Sequence, residues 1–191
     1  MRIIFVTFLI LLATSSSWAQ IGMSGGLGIM SDKGIVGAGI DYRFENQSLV
    51  QADLGADVAG PLMGVMYKHP IYSQSSGTKW YEKCLFTFDC ETLFYLGAGL
   101  KSFSPHEAIL RKGEADEAEY KVAQKFAAGL TFTIRDEYRN NFFFDVDISY
   151  RTRLTNPDIT PKRGVQKTGD EDKIRDFDNV VGVGLILGYR F

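Results

Sequence analysis

The chain has 191 residues, 20 of them glycine and 13% aromatic, with only five prolines and a formal net charge of −2. That charge lacks the basic footprint of a nucleic-acid binder, and no nucleic-acid partner is expected. Past residue 19 no stretch reaches the roughly 18 continuous apolar residues of a transmembrane helix, so none is expected.

The chain opens MRIIFVTFLILLATSSSWAQ. Arg2 supplies a positive start, Ile3 to Ala13 is uncharged and apolar, and Ser17 and Ala19 suit cleavage before Gln20. This reads as a secretory signal peptide over 1–19, its apolar run too short to span a bilayer. One domain over 20–191 follows. Export to an oxidising compartment predicts that Cys84 and Cys90 form a small disulfide loop. Two cysteines without a neighbouring histidine do not suggest a metal site, and no cofactor is expected.

Ile21 to Met30 alternates, with Ile21, Met23, Leu27 and Ile29 on one face and small residues on the other. A period of two means a β-strand. Ser31-Asp32-Lys33-Gly34 is a tight turn. Ile35 to Phe44 returns as a second strand, with Val36, Ala38, Ile40, Tyr42 and Phe44 opposite Gly37, Gly39, Asp41 and Arg43, and Glu45 to Ser48 turns again. Leu49 to Ala59 sets Val50, Ala52, Leu54, Ala56 and Val58 against Gln51, Asp53, Gly55 and Asp57. Gly60-Pro61 breaks it. Leu62 to His69 is a weaker fourth strand, with Lys68 on its narrow face, and Pro70 is expected to end it.

Ile71 to Thr92 fits no clean pattern and reads as a disulfide-pinned connection, with Leu85 to Phe88 as a possible short strand. Leu93 to Phe103 resumes alternation. Ser104 to Glu119 is polar and charged, a long loop. A sixth strand starts as early as Tyr120 and keeps one apolar parity through Ile134, interrupted only by Gln124. Asp136 to Asn140 is a short turn. Phe142, Phe144, Val146, Ile148 and Tyr150 then oppose Asp145, Asp147, Ser149 and Arg151. Thr152 to Phe177 is a second long charged loop. Last comes VVGVGLILGYRF, with Val181, Val183, Leu185, Leu187, Tyr189 and Phe191 on one face.

Eight strands of roughly ten residues, tilted by about 45°, suffice to cross a bilayer and close into a small barrel. The expected fold is all-β, an eight-stranded antiparallel up-and-down transmembrane barrel. An even count puts both ends of the barrel chain on one side, the periplasm. The 22-residue connection after strand four is then a periplasmic excursion, unless the strand count between 60 and 93 is wrong. A soluble barrel would turn the apolar parity inward.

The signal peptide, the eight alternating segments and the ending Val183-x-Leu185-x-Leu187-x-Tyr189-x-Phe191 together resemble the small bacterial outer-membrane barrels of the outer-membrane protein A transmembrane-domain type. The resemblance covers 20–191. It implies an outer-membrane location, and makes Val183, Leu185, Leu187, Tyr189 and Phe191 similar to the signal read by the barrel-assembly machinery. The expected surroundings are outer-membrane lipid and lipopolysaccharide. Fold of this kind does not settle function.

If the apolar parity faces lipid, the lumen receives Asp41, Arg43, Asp53, Asp57, Lys68, Lys101, Arg135, Asp145, Asp147, Arg151 and Arg190. An eight-strand lumen is only wide enough for side chains, so these charges must pair. The expectation is a salt-bridge plug. Inward glycines on strands one, two, five and eight leave room for long arginines and lysines, Tyr95 and Phe143 to reach across; the sharper alternative is a small ligand cavity. Tyr42, Phe44, Tyr67, Phe94, Phe132, Phe142, Phe144, Tyr189 and Phe191 are expected in a periplasmic aromatic belt, and Tyr120, Phe126 and Tyr150 in an outer one.

Only two histidines exist. His69 has Ser73 four residues on, without the His-x-Ser spacing associated with outer-membrane lipid A deacylases. His106, beside Glu107 and near Ser104, lies in a surface loop. No enzyme is expected. The expected role is structural or surface-interacting, porin-like in architecture, with 104–119 and 152–177 as contacts for an extracellular ligand. A small ligand-binding or narrow pore-forming barrel is the runner-up, and a lipid A-modifying enzyme stands behind it.

Overall fold

In the computed structural model the described residues are 20–29, 31, 33–57, 60–75, 90–111, 117–138, 141–156, 158–163 and 180–191. The expected signal peptide, Cys84 and the short strand at Leu85 to Phe88 lie outside them. Strand β1 spans Gln20–Ile29, β2 Val36–Arg43, β3 Leu49–Asp57, β4 Gly60–Ser75 and β5 Cys90–Phe103. Three further strands, β6 His106–Arg111, β7 Glu117–Val122 and β10 Ile159–Arg163, lie among β8 Lys125–Tyr138, β9 Phe142–Arg153 and β11 Val180–Arg190.

Eight strands close an antiparallel barrel in the order β1, β11, β9, β8, β5, β4, β3, β2. The seam is a continuous ladder from Gly22 opposite Arg190 to Ile29 opposite Val183. Closure leaves no sheet edge, which a ring of strands this apolar on one face requires.

The faces are inverted relative to a water-soluble barrel. Every barrel strand turns a large apolar side chain outward: Leu27, Ile40, Leu54, Val65, Leu100, Leu130, Ile148 and Leu185 are each between 49% and 65% exposed. The opposite parity is buried and polar, from Asp41 on β2 to Arg190 on β11. Aromatic rings cluster outside one end, which we term the base. Phe142 meets Tyr189 at 5.1 Å, Tyr189 meets Phe191 at 5.2 Å, and Phe94 meets both Tyr72 at 5.7 Å and Phe132 at 6.2 Å. Phe126 and Tyr150 are exposed toward the other end.

Three expectations are corrected. Pro70 does not end the fourth strand: β4 runs on to Ser75, and the ladder with β5 shifts register between Pro70 and Tyr72. A proline lacks the N–H a ladder needs, and a bulge absorbs it. The expected excursion is therefore a real extension of the β4–β5 hairpin at the base, and the barrel count of eight stands. Second, the run expected to begin at Tyr120 is two strands. Ala123 and Gln124 separate β7 from β8, and only β8 belongs to the barrel. Third, the two long loops are not structureless. β6, β7 and β10 form a separate three-stranded sheet at the end opposite the base, the sheet end. Tyr120 is fully buried there beside Ala118 and Val122, with Ala108 and Ile159 against them, and does not belong to an outer aromatic belt.

Candidate functional site inside the barrel

Inward side chains of β9 order the lumen from base to sheet end. At the base, Asp145 receives two hydrogen bonds from Arg135, from Nε and Nη2, each 2.7 Å. Arg135 also lies 3.7 Å from Asp41 and 3.9 Å from Glu137. Arg190 bridges those same carboxylates, at 3.2 Å to Asp41 and 2.5 Å to Glu137, and Arg43 reaches Glu137 at 2.5 Å. Three guanidiniums thus interlock with three carboxylates. Arginine suits this because its planar fork serves two acceptors at once.

The Phe143 ring lies beneath this cluster, 4.0 Å from the Arg135 guanidinium and 5.5 Å from that of Arg190. Tyr95 flanks it at 5.8 Å from Arg135. Gly188 makes room: a Cβ there would collide with the Phe143 ring.

One step along β9, Asp147 takes the Lys68 ammonium at 3.3 Å, both groups fully buried. Toward the sheet end Arg151 pairs with Asp57, and its guanidinium sits 5.0 Å above the Phe103 ring. Lys125 lies 5.1 Å from the same ring. Phe103 packs on Leu62 and Ala127, so the interior there is part apolar. Nearby, Lys33 pairs with Asp53, which also accepts 2.9 and 2.7 Å hydrogen bonds from the Gln51 amide.

All eleven charged residues singled out from the sequence face the interior. Asp41, Arg43, Arg135, Asp145 and Arg190 meet at the base, joined by Glu137. Lys68 meets Asp147, and Arg151 meets Asp57. Asp53 meets Lys33, and Lys101 donates at 3.4 Å to the Ser31 carbonyl. Sequence reasoning missed Glu137 and Lys33; it set Gln51 on the inward parity beside Asp53 without naming the two as partners. Glu137 carries a signal: it shares the parity of Arg135, two residues earlier, although it lies inside the polar run from Asp136 to Asn140 that reads as a turn. Lys33 also sat in an expected turn and gave no sign of pointing inward.

The histidines fall elsewhere. His69 Nδ1 lies 3.1 Å from the Ser48 hydroxyl and 3.4 Å from the Tyr67 hydroxyl, on the outer wall near the base. Its partner is therefore Ser48, not Ser73. His106 Nδ1 lies 3.2 Å from the Ser104 carbonyl, not the hydroxyl, and its ring occupies the space a Cβ on Gly60 would need. Gly60 has φ +109°, a conformation other residues avoid, so glycine is required there on both counts.

On the exposed face of the three-stranded sheet, Glu107 and Lys162 form a 2.7 Å ion pair. The Lys162 hydrogen bond and charge hold the Glu107 carboxyl below its usual range, and Glu107 raises Lys162 in turn.

No family model and no curated protein matches the chain. Among solved structures it is similar to the N-terminal β-barrel domain of Pseudomonas aeruginosa OprF, at 14% identity and a TM-score of 0.49, over 91% of this chain and 96% of that one.

Proposed function

We propose that the chain is an integral protein of the bacterial outer membrane, exported by a signal peptide cleaved near Ala19. Its lumen is plugged by salt bridges, and its role is structural or surface-interacting. The observation that carries this reading is the outward apolar ring contributed by all eight barrel strands. Water penalises a continuous apolar wall of this extent, whereas a bilayer matches it and demands a closed hydrogen-bond ladder. A groove of about 830 Å³ on that wall, floored by Ala38 and Ala52 and flanked by Met23, Ile40, Leu54 and Leu100, suits acyl chains.

In this reading the base is periplasmic and the aromatic rings there mark the inner interface. The three-stranded sheet stands outside the cell, where it offers a surface to an extracellular ligand or to lipopolysaccharide. Cys84 and Cys90 close a disulfide in the periplasmic hairpin. Val183, Leu185, Leu187, Tyr189 and Phe191 serve the barrel-assembly machinery.

Single tryptophans at Leu54, Leu130 and Leu185, in a background with Trp80 replaced by phenylalanine, test membrane residence. Reconstituted in vesicles of phospholipid brominated along the acyl chain, each is expected to be quenched, while aqueous iodide leaves it bright. Iodide quenching without bromine quenching contradicts a lipid-facing wall.

A further inference from the structure

Strand β1 starts at Gln20. Gln20 stands opposite Arg43 in the β1–β2 ladder and shares the lumen parity of Gly22 and Ser24, both buried. It is itself exposed, because it lies at the rim of the base. The main chain here is held from both sides. Arg43 faces Gln20 from β2, and one residue on the Ile21 carbonyl accepts a 2.9 Å hydrogen bond from the Phe191 N–H. Gln20, Arg43, Phe44, Glu45 and Gln47 line a surface pocket of about 520 Å³ at this rim. The pocket is mixed in character. Phe44 is 42% exposed and offers a ring face, Arg43 donates to Glu137 at 2.5 Å, and Glu45 is exposed. Both signs of charge are present and water reaches them, so no strong field of one sign holds an amine there as its ammonium.

A glutamine that begins a chain carries a nucleophile, its α-amine, and an electrophile, its side-chain amide, on one residue. We propose that Gln20 is a modification site: once the leader is removed it closes on itself to pyroglutamate, and the rim pocket houses the lactam ring. This rests on the export reading, with cleavage before Gln20. The neutral α-nitrogen attacks the side-chain Cδ, and an N–Cδ bond forms. The Cδ–Nε2 bond breaks, and that nitrogen leaves as ammonia with the proton the attacking amine gives up. No oxidant, reductant, metal or second substrate is needed. The ring packs on Phe44, and its carbonyl accepts from the donors of the Arg43 fork that Glu137 does not use. The seam strand then begins on a neutral cap, without the terminal charge of a free amine.

The test uses the full chain, expressed with its leader and purified from outer membranes. Peptide mass spectrometry is expected to find a first peptide that starts at residue 20 and is lighter than the unmodified sequence by one ammonia. Gln20→Ala is expected to start at the same place with a free amine that an acylating reagent labels. A free amine on Gln20 in the unsubstituted protein overturns the lactam while leaving the cleavage reading intact. A first peptide that starts elsewhere overturns the cleavage reading, and this site with it. Pyroglutamyl peptidase then tests the pocket. Because Gln20 and Ile21 are held in the barrel ladder, the enzyme is expected to release residue 20 from the folded barrel about tenfold more slowly, or slower still, than from the excised N-terminal peptide. Equal rates overturn the seating of the ring at the rim.

Discussion

Arg135 is the hub of the base cluster. It is fully buried, holds Asp145 through both arms of its fork, and stands between Asp41 and Glu137 over the Phe143 ring. Replacing a buried ion pair with apolar residues is often harmless, but removing one partner strands the other. Arg135→Met is therefore expected to lower unfolding free energy by about 3–5 kcal/mol, measured by urea titration in the presence of vesicles. Arg135→Met with Asp145→Leu should recover a large part of the loss. Gly188 gives a second residue-scale expectation. Gly188→Ala drives a methyl into Phe143, and overpacking of this kind costs about 1–3 kcal/mol. Phe143→Leu in the same chain should restore part of that, read from the same titration; a loss that Phe143→Leu leaves unchanged would show that the clash is not the cause. At this scale the sequence showed which charges point inward, because parity alone decides it. It did not show who pairs with whom, since a partner across a barrel is set by shear and side-chain reach. Glu137 and Lys33 were lost because their local signals, a polar cluster and a Ser-Asp-Lys-Gly turn, are ordinary turn chemistry.

At the scale of elements, the three-stranded sheet was the least legible part. Its strands are five or six residues long and crowded with charge. The alternation is nonetheless present: Ala118, Tyr120 and Val122 are buried while Glu107, Ile109, Lys121 and Lys162 are exposed. A single parity ran from Tyr120 into the barrel strand and hid the break at Ala123 and Gln124. The sheet pairs only within itself among the described residues. Replacing 105–123 by a short turn is therefore expected to leave the barrel assembled, shown by unchanged heat-modifiable gel migration. Loss of the fast-migrating folded band would mean the sheet supports the barrel. The Glu107–Lys162 pair sets a pH expectation. Its depressed carboxyl contributes support that is fully present above the ordinary carboxylate range and fades as pH falls through the lowered Glu107 value. Both groups are solvent-exposed, so the effect on global stability is small. The Glu107 carboxyl resonance is expected to titrate below 4.5, and to move back toward 4.5 in Lys162→Met.

At the scale of the whole molecule, the fold was legible because each barrel strand follows one simple rule, apolar outward and polar inward, with period two. That rule survived glycine-rich strands and one proline bulge. It gives the strand number and facing, and among the described residues it fails where a segment leaves the wall: at Ser31 and Lys33 between β1 and β2, in the extended β4–β5 hairpin and in the added sheet. The same inversion underlies the central claim, that this is a lipid-embedded barrel whose bore is shut by its own ion pairs. Charges at the base, at Lys68 and Asp147, and at Arg151 and Asp57 occupy successive levels of one narrow lumen. Ion flux across bilayers tests it most directly, with the unsubstituted protein reconstituted and its insertion verified by brominated-lipid quenching. The expected result is no steady current above the protein-free membrane at any applied voltage that leaves the bilayer intact. A stable, ohmic conductance proportional to the amount of inserted protein would contradict it.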